Sequence, residues 1–447
     1  MRFLHTSDWH LGRTLEGRSR QAEQEEFLAE LCRLAGEEKV DVVLVAGDVY
    51  DAFNPPAAAE QLFYDAVDEL SAGGRRAVVV IAGNHDSPER LVAASPLARR
   101  QGIFILGLPQ AAPSFVFSGA CRSPGAVPGS GFGSPAVPDG GSVNIAPSFV
   151  DPGTAGSGRV RVLAGGPSWL ELAVPGCSHP AVLLALPYPS EARLRELFQE
   201  SLADEAAAQQ AYSARIRRLF NELAGNFRPD TVNVAISHIF VQGGRTCDSE
   251  RPIFSVGGAC TVLPEDLPAG AQYVALGHLH RPQAVNGSRV PCRYSGSPLA
   301  YSFSEAGQAK SVTLVDVLPG RPAQVREVHL SCGRPLVEWR AYEGPAQVYR
   351  WLAEGRDPRA WINLEILVEA PLSLPEVQEL RKACPRFVDI RAVYPEALRC
   401  AARESRAGMP VDQLFASFYE KRYGVKPDEK MIALFMEILG QGEGEDE

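Results

Sequence analysis

Oxygen and imidazole side chains gather at a few short stretches of this 447-residue chain. Asp8-Trp9-His10 comes first, then Gly47-Asp48, Gly83-Asn84-His85-Asp86, an isolated His238, and Gly277-His278-Leu279-His280. Aspartate, asparagine and histidine without a thiolate form a hard-to-borderline ligand set. It suits Mn²⁺, Mg²⁺, Fe or Zn²⁺ rather than a cysteine-bound structural zinc. Seven ligands (Asp8, His10, Asp48, Asn84, His238, His278 and His280) are too many for one ion. They suit two ions roughly 3.5–4 Å apart, with Asp48 as the natural shared carboxylate. Such a pair fits phosphate-ester hydrolysis, in which the ions polarise phosphoryl oxygens and activate a water. Each piece alone is weak. Asp-x-His is commonplace, Gly-Asp is frequent in turns, and a histidine ending a strand is often a hydrogen-bonded core residue. A turn explains the glycine, asparagine and aspartate of Gly83-Asn84-His85-Asp86 but not the histidine. The coincidence carries the reading, since five of the eight histidines fall in this series. His5, His179 and His329 lie outside it and receive no role.

Each cluster follows an apolar run of strand length, at 2–7, 40–45, 77–82, 232–237 and 273–276. A carboxylate just past a glycine turn sits at the carboxyl edge of a sheet, where open α/β sheets bind ligands. Asp8 and His10, if extended, point to the same side because strand residues alternate with period two. Helical spacing over 21–35, 60–70 and 88–100, with a further strand at 103–106, indicates βαβ units and a partly parallel sheet. The stretch 111–180 interrupts this pattern, with a Gly/Pro/Ser-rich insertion through 118–158 and a hairpin over 160–163 and 169–174. A strand at 182–186, a long helix or helix pair over 191–225 and a strand at 311–317 complete a first domain, 1–320.

Strands at 362–368 and 387–393, flanked by helices at 347–352 and 374–384, indicate a small α+β domain over 325–400. A polar linker then opens the segment 401–447. Two amphipathic helices follow, one with Val411, Leu414, Phe415, Phe418 and Tyr419 on a face, the next with Met431, Leu434, Phe435, Ile438 and Leu439. Gly424 and Pro427 separate them as a stop and a restart.

Hydrophobic content of 45% supports a sizeable core. No apolar run approaches the ~20 residues of a spanning helix, and the first residues lack the apolar region of a signal peptide. Nine scattered cysteines without a Cys-x-x-Cys pair read as reduced thiols in a cytoplasmic protein. A formal net charge of −10 argues against a large non-specific nucleic-acid surface.

The order of these motifs resembles the calcineurin-like metallophosphoesterase superfamily. Finer features resemble its SbcD-type nuclease branch: Leu4-His5-Thr6-Ser7-Asp8-Trp9-His10-Leu11-Gly12, Ala275-Leu276-Gly277-His278-Leu279-His280-Arg281-Pro282-Gln283, Tyr294-Ser295-Gly296-Ser297-Pro298 and Ser302-Phe303-Ser304-Glu305. The resemblance implies an α/β fold, a two-sheet metallophosphoesterase sandwich with a small α+β capping domain and C-terminal helices. It implies one metal on Asp8, His10, Asp48 and His280, and another on Asp48, Asn84, His238 and His278. His85 would be the unligated catalytic histidine, with Asp86 orienting it. Asp51 stands where some relatives carry a second active-site histidine, which leaves that auxiliary role open. The resemblance further implies two divalent ions, usually Mn²⁺, and DNA as substrate, cut as a 3′–5′ exonuclease and a single-strand endonuclease. It implies an SbcC-type coiled-coil ATPase as partner through the C-terminal helices, and a homodimer within a heterotetramer. Arg13, Arg18, Arg20, Arg90 and Arg281 lie near the motifs as candidate phosphate contacts. The alternative is a stand-alone dinuclear metallophosphoesterase acting on nucleotides or phosphoproteins.

Overall fold

A computed structural model describes residues 1–109, 158–190, 192–194, 205–250, 254–255, 258–259, 261–394, 410–423 and 426–442. Nearly all of the Gly/Pro/Ser-rich insertion, the linker before residue 410 and the acidic tail lie outside these residues. The described chain forms two compact units, Met1–Val337 with Arg359–Trp361, and Glu338–Pro358 with Ile362–Glu447.

The first unit begins with four parallel strands: β1 (Arg2–Thr6), β2 (Val42–Ala46), β3 (Ala77–Ile81) and β4 (Ile103–Leu106). Every residue of β2 and β3 is buried, as expected of parallel strands covered on both faces and read as unbroken Val/Ile/Leu/Ala runs. Helices α1 (Gln21–Glu37) and α2 (Ala57–Ser71) connect the first three strands.

A second sheet takes β5 (Arg161–Gly166), β6 (Trp169–Ala173), β7 (Ala181–Leu186), β8 (Val232–His238), β9 (Tyr273–Gly277) and β10 (Cys292–Tyr294), in that spatial order. Its centre, β7 to β10, is parallel, while β5 and β6 form an antiparallel hairpin at one edge. Helix α3 (Glu205–Ala224) precedes β8. Two antiparallel strands, β11 (Ser311–Asp316) and β12 (Gln324–His329), then return to extend the first sheet beside β1.

Period-two alternation sorts the side chains into layers. Val42, Leu44 and Val79 meet Leu183, Val234 and Ile236 between the two sheets. Val43, Val45 and Val78 face outward onto Phe27 and Leu31 of α1 and Phe63 of α2. On the far side, Leu184, Ala235 and Leu276 pack against Ile216, Leu219 and Phe220 of α3. The unit is therefore a sandwich of two sheets between helices, and each fully buried Val, Leu or Phe contributes about 1.5–3 kcal/mol. His5 lies in this core, with Nδ1 at 3.0 Å from the Tyr273 hydroxyl and Nε2 at 3.1 Å from the Leu276 carbonyl.

Two local expectations change. The helix expected over 88–100 is split into Pro88–Leu91, Ser95–Ala98 and a 3₁₀ turn at Arg99–Gln101. Pro96 has no N–H to continue a helix, so it restarts one in the first turn. Residues 325–329, which the change of character at 325 placed in a second domain, belong to β12, which pairs along its whole length with β11.

The second unit is built on β13 (Leu336–Ala341) from Glu338 onward, β14 (Trp361–Leu367) from Ile362 onward and β15 (Phe387–Val393), with β14 and β15 parallel. Trp339 packs edge-on to Trp351 and Phe387 in its core. Its helices are α4 (Pro345–Ala353), α5 (Leu374–Ala383), α6 (Val411–Tyr423) and α7 (Glu429–Gly442). A capping box between Ser373 and Glu376 opens α5. Phe415 stacks on Phe435, with ring centroids 4.1 Å apart, and joins α6 to α7. Among the described residues, no helix is long and apolar enough to cross a membrane.

Candidate active site

The carboxyl ends of β1, β2 and β3 in one sheet, and of β8 and β9 in the other, converge on one rim. The segment after β1 runs beside the segment after β2. Asp8 N–H donates to Gly47 O at 3.0 Å, His10 N–H to Asp48 O at 3.0 Å, and Leu11 N–H to Val49 O at 2.9 Å. The backbone bends sharply here: φ is +54° at Asp8, +45° at His10, +50° at Asp48 and +107° at His278. Non-glycine residues rarely adopt such values, and they persist where surrounding bonds impose them. Asp8 and His10 therefore share a side through a tight bend and not through strand alternation. The motif glycines permit the close approach. A Cβ on Gly277 would run into the Ala46 carbonyl, and one on Gly83 into the Asp48 carboxylate.

All seven residues expected as ligands meet on this rim. Asp8, His10 and His280 bring ligand atoms within 4.8 Å of one another, and Asp48, His238 and His278 do the same. Asp48 Oδ2 is 3.7 Å from His10 Nε2 in the first group and 3.4 Å from His238 Nε2 in its own. Asn84 Oδ1 joins the second group, 2.9 Å from His238 Nε2 and 3.2 Å from His278 Nδ1. His278 N–H donates to Asp8 Oδ1 at 2.9 Å and His85 N–H to Asp48 Oδ1 at 2.8 Å, which ties the segments together.

His238 Nδ1 lies 2.8 Å from the Ala46 carbonyl, which can only accept, so Nδ1 carries a proton. Nε2, which faces Asp48 and Asn84, is the nitrogen that would offer a lone pair to a cation once its own proton is displaced. His10 Nε2 and His280 Nε2 face each other at 3.0 Å, both buried. Such a set of convergent nitrogens and carboxylate oxygens fits two divalent cations.

The electrostatics agree with that chemistry. Burial lowers the pKa of His10 and of His278, and lowers His280 to about 3, so all three are neutral near pH 7 and keep their lone pairs. Burial also pushes Asp8 up to about 7. Asp48 is equally buried, but His238, then His10 and His85, outweigh the burial and hold its carboxyl well below the usual range. In turn Asp48 overcomes the burial of His238 and raises it to about 9. Cations in this rim would relieve the carboxylate burial and compete with that proton.

His85 lies on the same rim, its ring edge-on to His10 with centroids 4.7 Å apart. Its Nδ1 donates to the Asp51 backbone carbonyl at 2.8 Å. Asp86, expected to orient His85, does something else. Its carboxylate accepts from Gly83 N at 2.8 Å, Tyr50 N at 2.9 Å and Val49 N at 3.2 Å. A single buried carboxylate thus joins the segments after β2 and β3, and the backbone of Asp51 takes the orienting position. The Asp51 side chain lies 3.4 Å from His10 Nδ1 and 3.5 Å from Arg13 Nη1.

The arginines divide. Arg20 is buried and held by Glu23 and the Ala300 carbonyl, so it is committed to the fold. Arg90 pairs with Glu60, and Arg13 donates to the Ser249 carbonyl while lying over the Tyr301 ring. Arg281 is exposed beside His280. Sequence reasoning missed Ser249, Glu250 and Lys310, which stand behind His280; they lie in loops without a regular pattern. Glu305, in contact with them, was visible only as the end of Ser302-Phe303-Ser304-Glu305.

Residues 1–282 match the family model described as calcineurin-like phosphoesterase. The chain is 46% identical over 447 residues, all of both chains, to SbcD of the nuclease SbcCD from Bacillus subtilis. It is 33% identical over 341 residues, 75% of this chain and 70% of the other, to SbcD of the nuclease SbcCD from Rhodobacter capsulatus. With its paired histidine and aspartate clusters on the shared rim of two sheets, the chain belongs to the calcineurin-like phosphoesterase family, in the branch of the SbcD nucleases.

Proposed function

We propose that this chain is a DNA phosphodiesterase that works with two divalent metal ions, the nuclease subunit of an ATP-driven complex that processes DNA ends and hairpins. The observation that carries the reading is the place of Asp48 Oδ2, within 3.7 Å of a nitrogen in each of two buried histidine clusters. In this reading Asp8, His10, Asp48 and His280 hold one ion, and Asp48, Asn84, His238 and His278 the other. Two ions so bound supply Lewis-acid polarisation of the phosphoryl group and activation of a water. His85, its Nδ1 proton fixed on the Asp51 carbonyl, offers Nε2 to the phosphate or the leaving oxygen. Asp86 holds the two segments that carry Asp48 and His85 in register and does not touch substrate.

We further assign Mn²⁺ as the working ion, 3′–5′ exonuclease and single-strand endonuclease activities, and a cytoplasmic setting. The partner is a coiled-coil ATPase of the SbcC type, engaged through α6 and α7, and the assembly is a heterotetramer around a homodimer of this chain. The exposed Phe418, Met431, Leu434 and Met436 on that helix pair support the docking role.

Asp48→Asn tests the core of the proposal. One neutral amide in place of the shared carboxylate should lower occupancy at both metal positions and abolish Mn²⁺-dependent cleavage of single-stranded DNA. Metal analysis showing two ions at wild-type affinity would overturn the two-ion arrangement. Efficient hydrolysis of phosphomonoesters by the wild type, with none of DNA, would favour the stand-alone phosphoesterase instead.

A further inference from the structure

His280 is held from behind by a chain of buried groups that has no part in the reading above. Its Nδ1 is 2.6 Å from Ser249 Oγ, and Ser249 Oγ is 2.6 Å from Glu305 Oε1. Glu305 Oε2 is paired with Lys310 Nζ, which also donates to the His280 carbonyl and to Ser297 Oγ, each at 3.0 Å. Glu305 is fully buried, and its Oε1 also accepts from Tyr301 N at 3.0 Å and Ser302 N at 3.1 Å. The His280 N–H itself donates to Glu250 Oε1 at 2.6 Å.

The proton positions follow from valence. Lys310 keeps Glu305 ionised, and an ionised carboxylate can only accept. The one Ser249 hydroxyl proton therefore goes to Glu305, which leaves only a lone pair on Oγ for His280. His280 must then carry its proton on Nδ1, and the lone pair of Nε2 turns toward His10 Nε2 at 3.0 Å. Without the hydroxyl, His280 could place its proton on Nε2, where it would block a cation, and its ring would lose one fixed end.

We propose that Ser249, backed by Glu305 and Lys310, is a positioning residue that locks His280 in the Nδ1–H tautomer and thereby sets the affinity of one metal position and not the other. Histidines that bind metal commonly donate the other ring N–H to an acceptor, and loss of that acceptor costs about 10–100-fold in metal affinity. Here the acceptor is a serine hydroxyl whose direction is set by a buried ion pair. The inference rests on the assignment of His280 to a metal position.

The experiment is a Mn²⁺ titration followed by the electron paramagnetic resonance of free Mn²⁺, on the full chain. Wild type, His280→Ala, Ser249→Ala and Ser249→Thr are compared, with thermal unfolding in chelator run alongside. Ser249→Ala should weaken one of two binding steps by about 10–100-fold and leave the other within a few fold. Ser249→Thr retains the hydroxyl and should restore the weakened step. Equal weakening of both steps, no weakening, or a Thr variant as weak as Ala would overturn the proposal. His280→Ala keeps the two readings apart. If it leaves both steps intact, the metal assignment of His280 fails and the inference falls with it. If it weakens one step while Ser249→Ala weakens neither, the inference alone fails.

Discussion

At the scale of residues, the rim separates histidines that look alike in the sequence. His85 and His280 both follow strand ends within short glycine motifs. His280 Nε2 faces His10 Nε2, while His85 is fixed through Nδ1 on the Asp51 carbonyl and shares no hydrogen bond with the paired ligand nitrogens. His280→Ala should therefore weaken metal affinity, and excess Mn²⁺ should partly restore its rate. His85→Gln should retain both ions and lose roughly the 10²–10⁴-fold that a positioned acid or hydrogen-bond donor supplies. DNA affinity in the His85 variant should stay near wild type, because phosphate contacts dominate binding. Rate against Mn²⁺ concentration, with metal content measured on both proteins, decides this. Rescue of the His85 variant, and not of the His280 variant, would reverse the two roles.

At the scale of elements, the rim exists because two sheets approach closely at the ends of β2 and β9. Gly277 ends β9 where any Cβ would strike the carbonyl of Ala46, the last residue of β2. Gly277 is absent from the positive-φ positions, so space and not backbone conformation demands glycine there. Gly277→Ala is expected to force the strand ends apart at a cost of about 1–3 kcal/mol. It should also shift His278 and His238 relative to Asp48, lowering metal affinity along with stability. Urea unfolding in chelator gives the first quantity and Mn²⁺ titration the second. An alanine variant with the wild-type midpoint would show that the sheets yield more easily than their packing implies.

At the scale of the whole molecule, none of the seven ligand candidates lies beyond residue 280, yet the chain continues into a second unit ending in an apolar helix pair. Phe415 and Phe435 satisfy each other across α6 and α7. Phe418 and Leu434 remain 59% and 56% exposed on the same pair. Deleting residues 411–447 should leave Mn²⁺-dependent cleavage of single-stranded DNA within a few fold of wild type and abolish capture of an SbcC-type ATPase. A pull-down with undiminished partner binding would refute the docking role. The formal net charge of −10 is compatible with a nuclease if the cations and the partner carry much of the attraction to DNA.

Much of this was written in the linear chain. Strand-length apolar runs located β1, β2, β3, β8 and β9, because strands buried on both faces must be apolar throughout. Aspartate, asparagine and histidine at their ends named the seven ligand candidates, because few other roles place so many such groups after such runs. What the sequence could not carry was anything decided by a contact between distant loops. Asp86 follows His85 directly in the chain, yet its carboxylate is consumed by three backbone amides while a carbonyl from residue 51 fixes the histidine. Ser249, Glu305 and Lys310 have no common period or motif, and only folding brings them behind His280. The left-handed backbone at Asp8, His10, Asp48 and His278 was equally invisible, because side-chain patterns report which face is buried and not how the main chain turns at its end. Local chemistry thus named the candidate donors, while long-range packing set their hydrogen-bond partners and their aim.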